Sequence, residues 1–133
     1  MSGLVLPGRY RIAKTFRFEA AHFLSSLPVG HQCARMHGHS YEAVFVLAAD
    51  RLVGPGFVTD FGDLGPVKKM IDGTLDHRVL NDVLPVAPTS ENLAAWLASW
   101  FVEQLEPGLP GRLVSVRVSE TASSWAEFVL EER

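Results

Sequence analysis

The chain contains one cysteine among 133 residues, so it forms no intrachain disulfide and its fold must rest on burial and hydrogen bonding. A lone thiol agrees with a reducing cytoplasm and stays free for chemistry. Long hydrophobic runs are also lacking. The longest apolar stretch, Ala43 to Ala49, falls far short of the roughly 20 residues that cross a bilayer, and residues 1–11 hold no signal-peptide hydrophobic region. A soluble, cytoplasmic protein with no membrane association is expected. There is no basic run, and the net charge is -3, so the long-range field does not draw in a polyanion and nucleic acid is not expected as a partner. A small anionic substrate remains compatible, because a metal ion and two or three local Arg or Lys side chains outweigh a weakly negative whole. No repeat, low-complexity tract or linker divides the sequence, and one domain over residues 1–133 is expected.

What is present is mostly pattern. From Tyr10 the residues Ile12, Phe16, Phe18, Ala20 and His22 share one parity and Arg11, Thr15, Arg17 and Glu19 the other, which predicts a strand with one buried face. His39 to Asp50 reads as a second strand, with Tyr41, Ala43, Phe45 and Leu47 on the face of His39. After the turn cluster Gly54-Pro55-Gly56, the spacing of Leu64, Val67, Met70 and Ile71 predicts a helix with Pro66 in its first turn and Gly73 at its end. A second helix, capped by Thr89 or Ser90, carries the stripe Leu93, Trp96, Leu97, Trp100 and Phe101. Period two returns with Val114, Val116, Val118 and Glu120 on one face, and a turn through Thr121 to Ser124 leads to a last strand, Trp125 to Glu131. The order strand-strand-helix-helix-strand-strand predicts an α+β fold, a four-stranded antiparallel sheet with two helices on one face.

The most informative triplet is His37-Gly38-His39. In an extended chain residues i and i+2 project to the same side, so two imidazoles can converge on one ion. His22 ends the preceding strand, and antiparallel pairing would bring it beside them. Three neutral nitrogens suit zinc and leave a fourth position for water or substrate, although affinity order alone permits copper or nickel, and a lone His-x-His also occurs in ordinary loops. Cys33 lies in the irregular segment Leu27 to Arg35; a metal ion and Arg35 nearby would favour its thiolate, while a small core residue or a fourth metal ligand are the plainer readings. Asp76-His77 follows the first helix, where a turn could let the carboxylate orient the imidazole, or where the two could serve the helix end. Glu120, at a strand end, is either solvated or placed to grip an amidine-like ligand edge by paired hydrogen bonds.

With these residues in view the chain resembles the 6-pyruvoyltetrahydropterin synthase family, most closely its bacterial queuosine-pathway branch. Phe18-Glu19-Ala20-Ala21-His22 resembles the first metal-ligand motif, and Cys33-Ala34-Arg35-Met36-His37-Gly38-His39 the Cys-x-x-x-His-Gly-His segment. Thr59 to Leu64, Leu75 to Asp82, Pro88 to Leu93 and the pair Glu120-Thr121 match in the same order, while Ala122-Ser123-Ser124 departs from the pattern.

The resemblance implies a tunnelling fold whose subunits assemble into a barrel, typically a homohexamer with active sites between subunits. It implies Zn2+ on His22, His37 and His39, Cys33 as proton acceptor, Asp76 with His77 as proton relay, and Glu120 as pterin anchor and member of that relay. Thr89 and Ser90 are implied as pterin contacts. The implied lyase reaction converts 7,8-dihydroneopterin triphosphate into 6-carboxy-5,6,7,8-tetrahydropterin, releasing acetaldehyde and triphosphate, in queuosine biosynthesis. Lys14, Arg17 and Arg35 are candidates for the triphosphate on charge alone. The rivals are the pyruvoyl-forming reaction, whose animal motif resembles a longer spacer than that between Cys33 and His37, and a zinc protein that binds a pterin without turnover.

Overall fold

The structure, a computed structural model, describes residues 6–133, so the reading of residues 1–11 lies partly outside the described residues. Alternation does what it predicts in the first two strands. β1 (Tyr10–His22) buries Phe16, Phe18, Ala20 and His22, and β2 (His37–Ala49) buries Tyr41, Ala43, Phe45 and Leu47. The two pair antiparallel along their whole length, from Tyr10 opposite Ala49 to His22 opposite His37. Cross-strand partners Phe18 and Tyr41 stack with ring centroids 5.1 Å apart, and Phe16 meets Phe45 edge-on at 5.7 Å. Offset-stacked and edge-on pairs of this kind contribute about 0.5–1.5 kcal/mol beyond their area burial.

The chain continues through α1 (Gly65–Thr74), β3 (Arg78–Val79), α2 (Ser90–Gln104), β4 (Arg112–Thr121) and β5 (Ser124–Val129). Pro66 sits in the first turn of α1, where its missing N–H costs nothing, and Gly73 lies inside the last turn rather than beyond it. Thr89 is the N-cap of α2, its hydroxyl accepting the Asn92 N–H at 3.1 Å. Both helices cover one face of the sheet. Val67 and Ile71 of α1, and Leu93, Leu97 and Phe101 of α2, join the strand residues in a single apolar core, with Trp96 and Trp100 packed at its margin. The other face carries polar pairs such as Arg17 with Glu42 and Ser115 with Glu127. Among the described residues no helix is long and apolar enough to cross a membrane.

Two expectations are corrected. The sheet has five strands and is mixed, in the order β3-β1-β2-β4-β5, with β3 parallel to β1. β3 is two residues long, too short to show any period, and it runs parallel because the chain returns through α1 before rejoining the edge of β1. In β4 the buried residues are Leu113, Ser115, Val116 and Val118, while Val114 is only half-buried. A bulge opposite the Val46/Leu47 step inserts an extra residue there and reverses the parity on its far side.

Gly111 shows how tightly the core closes below β4. A Cβ at this position would lie 2.8 Å from the Thr59 hydroxyl oxygen and 3.0 Å from Val58 Cγ1. That hydroxyl accepts the Gly111 N–H at 3.2 Å and donates to the Val58 carbonyl at 2.8 Å, so it cannot move aside without losing both bonds. Gly111→Ala is expected to destabilise the fold by about 1–3 kcal/mol, read as a lowered denaturant midpoint in chemical unfolding.

Candidate metal centre

The register of β1 and β2 places His22 opposite His37, and His39 opposite Ala20, all at the end of the sheet where the two strands part. One ring nitrogen from each of the three histidines lies within 4.8 Å of the others. His22 is 2% exposed, and its Nδ1 lies 2.7 Å from the Pro88 carbonyl. His37 makes the equivalent contact, Nδ1 to the Arg35 carbonyl at 2.7 Å. A carbonyl only accepts, so both Nδ1 atoms carry a proton and donate, which turns both Nε2 atoms toward the cluster. Those two Nε2 atoms are 3.0 Å apart. When each ring carries only its Nδ1 proton, two Nε2 lone pairs face each other there, and a shared cation relieves that opposition.

The third nitrogen completes the case. His39 Nε2 is buried and has no hydrogen-bond partner. Buried nitrogens without a hydrogen bond are rare, and a bound ion is one way to satisfy this one. Burial holds the His39 imidazole below its usual titration range; Glu120 pulls the other way, and His22 and His37 reinforce the lowering. The ring therefore favours the neutral form, which is the metal-ligating one. Three neutral nitrogens, two of them oriented from behind by backbone carbonyls, fit a small divalent cation bound at about 2.0–2.1 Å from each.

Glu120 closes one side of this cluster. Its Oε1 lies 3.8 Å from His22 Nε2 and its Oε2 lies 3.5 Å from His39 Nε2. Ser90, the first residue of α2, donates its hydroxyl to Glu120 Oε1 at 3.0 Å. Tyr41 fills the floor, its hydroxyl 3.4 Å from His22 Nδ1; burial first, and Glu120 second, push its phenol well above the ordinary range, so it stays protonated.

Asp76 and His77 meet because His77 takes a left-handed backbone, φ 59°, unusual for a residue with a side chain. His77 Nδ1 lies 2.9 Å from Asp76 Oδ2. Both residues are fastened to the edge of β1: the Glu19 N–H donates to Asp76 Oδ1 at 2.9 Å, and the His77 N–H donates to the Glu19 carbonyl at 2.6 Å. The His77 side chain is 77% exposed and lines a shallow cavity of about 400 Å³ with Glu19, Gly38, His39, Ser40 and Arg78.

A model of the family described as 6-pyruvoyl tetrahydropterin synthase matches residues 11–131. The chain belongs to the 6-pyruvoyl tetrahydropterin synthase family. It is similar to the 6-carboxy-5,6,7,8-tetrahydropterin synthase of Synechocystis sp., with 42% identity over 125 residues covering 88% of this chain and 91% of the relative. The protein of the same name from Aquifex aeolicus is 30% identical, covering 90% of this chain and 98% of the relative. In fold it is similar to an uncharacterized protein of Wolinella succinogenes (TM-score 0.83, 24% identity, 94% of this chain and 100% of that one). The 6-pyruvoyl tetrahydropterin synthase of Caenorhabditis elegans superposes with a TM-score of 0.79 at 22% identity, over 93% of this chain and 97% of that one. The chain is thus an enzyme of the pterin synthase family, of the lyase type, with the tunnelling fold.

Within this family frame the remaining candidates separate. Thr89 is occupied as a helix cap, whereas Ser90 faces Glu120. Cys33 sits half-buried in the short 3-10 turn Gln32–Ala34, its N–H donating to His31 Nδ1 and its carbonyl accepting from Leu24. Its thiol is not among the three converging ligand atoms, and His77 shares the lining of the shallow cavity with His39. Lys14 reaches over the Phe16 and Phe61 rings and Arg17 pairs with Glu42, so the structure does not gather these cations at the histidines. Arg35 contributes its carbonyl to His37. Sequence reasoning did not find the Pro88 and Arg35 carbonyls, since a backbone acceptor has no sequence signal.

Asp76 gives a sharp test of the pair. The Glu19 N–H, and then His77, hold its carboxyl below the usual carboxylate range. A depressed folded-state value stabilises the fold above the unfolded value of 3.8, a contribution lost as pH falls through the lower folded value. By carbon-detected NMR titration the Asp76 carboxyl is expected to titrate below 3.8, and His77→Ala to raise the midpoint only part of the way, because the Glu19 bond survives. For the metal cluster, His37→Ala is expected to remove bound divalent metal, measured as metal content per chain after gel filtration.

Proposed function

We propose that the chain is a zinc-dependent 6-carboxy-5,6,7,8-tetrahydropterin synthase. In this reading it converts 7,8-dihydroneopterin triphosphate into 6-carboxy-5,6,7,8-tetrahydropterin, releasing acetaldehyde and triphosphate, as a cytoplasmic step of queuosine biosynthesis. The observation that carries this reading is the set of three converging imidazole nitrogens, two with their protons turned away to carbonyls and one buried without a partner. The names borne by the Synechocystis and Aquifex relatives support the carboxy-forming outcome.

His22, His37 and His39 hold the metal. A zinc ion bound there supplies positive charge that stabilises negative oxygen developing on the substrate side chain. Glu120, fixed by Ser90, accepts two N–H groups from the amino-pyrimidine edge of the pterin, with Thr89 and Ser90 beside it, and takes part in the proton relay. Cys33 accepts a proton from the substrate side chain. Asp76 holds His77 through Nδ1, which leaves Nε2 free to take up and return protons.

Active sites completed between subunits form part of this reading. The strand order leaves β5 at one edge of the sheet and most of β1 at the other, since β3 covers only Ala20 and Ala21. Two open edges on a one-domain chain of residues 1–133 suit edge-to-edge closure into a barrel, a homohexamer of two rings in the proposed assembly. Lys14, Arg17 and Arg35 remain candidates for the triphosphate.

Zinc-loaded protein incubated with 7,8-dihydroneopterin triphosphate is expected to yield acetaldehyde and a 6-carboxypterin product by mass spectrometry, and Cys33→Ala to lose at least about 100-fold in rate. A pyruvoyl product would move the assignment to the sister reaction. Binding of the pterin without turnover would leave a non-catalytic zinc protein.

A further inference from the structure

Asn81 lies in the 3-10 turn Leu80–Asp82, and no step above uses it. Its carboxamide makes two hydrogen bonds to one residue of the β1 edge. The Phe23 N–H donates to Asn81 Oδ1 at 3.0 Å, and Asn81 Nδ2 donates to the Phe23 carbonyl at 2.9 Å. A carboxamide offers the same donor and acceptor as a peptide unit, so this pair extends the ladder just past the point where β3 stops, at Ala21 opposite Val79. The edge of β1 is thus held at Glu19 by Asp76 and His77, at Ala20 and Ala21 by β3, and at Phe23 by Asn81.

His22 stands between these anchors. On its other side the pairing with β2 ends at His22 opposite His37, so the β1–β2 ladder does not reach Phe23. The Phe23 nitrogen belongs to the peptide that follows His22, and the plane of that peptide sets the ψ angle of His22. The next residue, Leu24, donates its N–H to the Cys33 carbonyl at 2.9 Å and starts the loop that carries the thiol. The Pro88 carbonyl orients the His22 ring, whereas Asn81 holds the backbone from which the ring projects.

We propose that Asn81 is a positioning residue for the metal centre, clamping the Phe23 peptide so that His22 Nε2 stays on the axis shared with His37 and His39. This inference rests on the reading of the three histidines as a metal site. Asn is required over Asp, which keeps the acceptor for the Phe23 N–H but turns a carboxylate oxygen on the Phe23 carbonyl, and over Ala, which leaves both backbone groups without this partner.

The test measures zinc affinity by competition with a chromogenic chelator, for the wild type, Asn81→Ala, Asn81→Asp and Arg133→Ala. The visible absorption of the cobalt(II)-substituted proteins reports the ligand geometry. Arg133→Ala is the control, because it removes a side-chain clamp on the Leu113 carbonyl and on Glu106 at the far end of the sheet. Both Asn81 variants are expected to bind zinc about 10-fold more weakly, the low end of the effect of losing an outer partner of a metal site, with an altered cobalt band. Arg133→Ala is expected to match the wild type in both readouts. Wild-type affinity in the Asn81 variants overturns the positioning role, and so does an equal loss in Arg133→Ala, which assigns the effect to general stability. Failure of the wild type itself to bind zinc overturns the metal reading beneath it. If Asn81→Ala does not fold, Asn81→Asp, which keeps side-chain volume and one of the two bonds, carries the comparison.

Discussion

A strand that slips by one residue against its partner keeps a hydrogen-bonded ladder but turns every one of its side chains to the opposite face. A slip of β1 would expose Phe16 and Phe18, and a slip of β2 would expose Tyr41, Phe45 and Leu47, with about 1.5–3 kcal/mol of burial at stake for each Phe or Leu. The register of this strand pair is therefore held by the apolar core, far from any chemistry. The histidines depend on it completely: His22 meets His37, and His39 falls on the same face, only in the register that the core selects. The cluster brings two Nε2 atoms within 3.0 Å of each other and leaves one buried nitrogen without a hydrogen-bond partner. Core burial holds these groups together.

Two of the histidines of this strand pair are oriented by backbone carbonyls that lie outside it. The Pro88 carbonyl just ahead of α2 orients His22, and the carbonyl of Arg35 orients His37. The N-terminus of α2 also supplies Ser90, which sets Glu120 against the cluster. The Asp76–His77 pair is fastened through Glu19. The end of β1, the start of β2, the end of β4 and the start of α2 therefore converge at one end of the sheet, where the ladders run out and side chains are released from strict alternation.

Much of this was legible beforehand because burial writes itself as period. The alternation of β1 and β2, the stripe of α2 and the place of Pro66 in α1 all follow from one-sided packing. The histidine trio was legible for the same reason, since His37 and His39 keep the parity of Tyr41, and His22 that of Phe18. The extra residue in β4 was not, because a bulge breaks the period it would be read from, and Val114 looks as apolar as Leu113. Nor was β3, whose two residues are too few to alternate.

The sequence by itself determined the three histidines that could hold a metal, the faces on which they lie, the two helices and the family, because these follow from local spacing and from side-chain chemistry carried in order along the chain. Tertiary structure alone decided how these parts meet. It set the parallel edge strand, the left-handed turn that lets Asp76 reach His77, and the carbonyls that turn two imidazole protons away from the third histidine. Each of these depends on contacts between segments distant in sequence, and backbone donors and acceptors are the same at every residue until the fold gives them a neighbour.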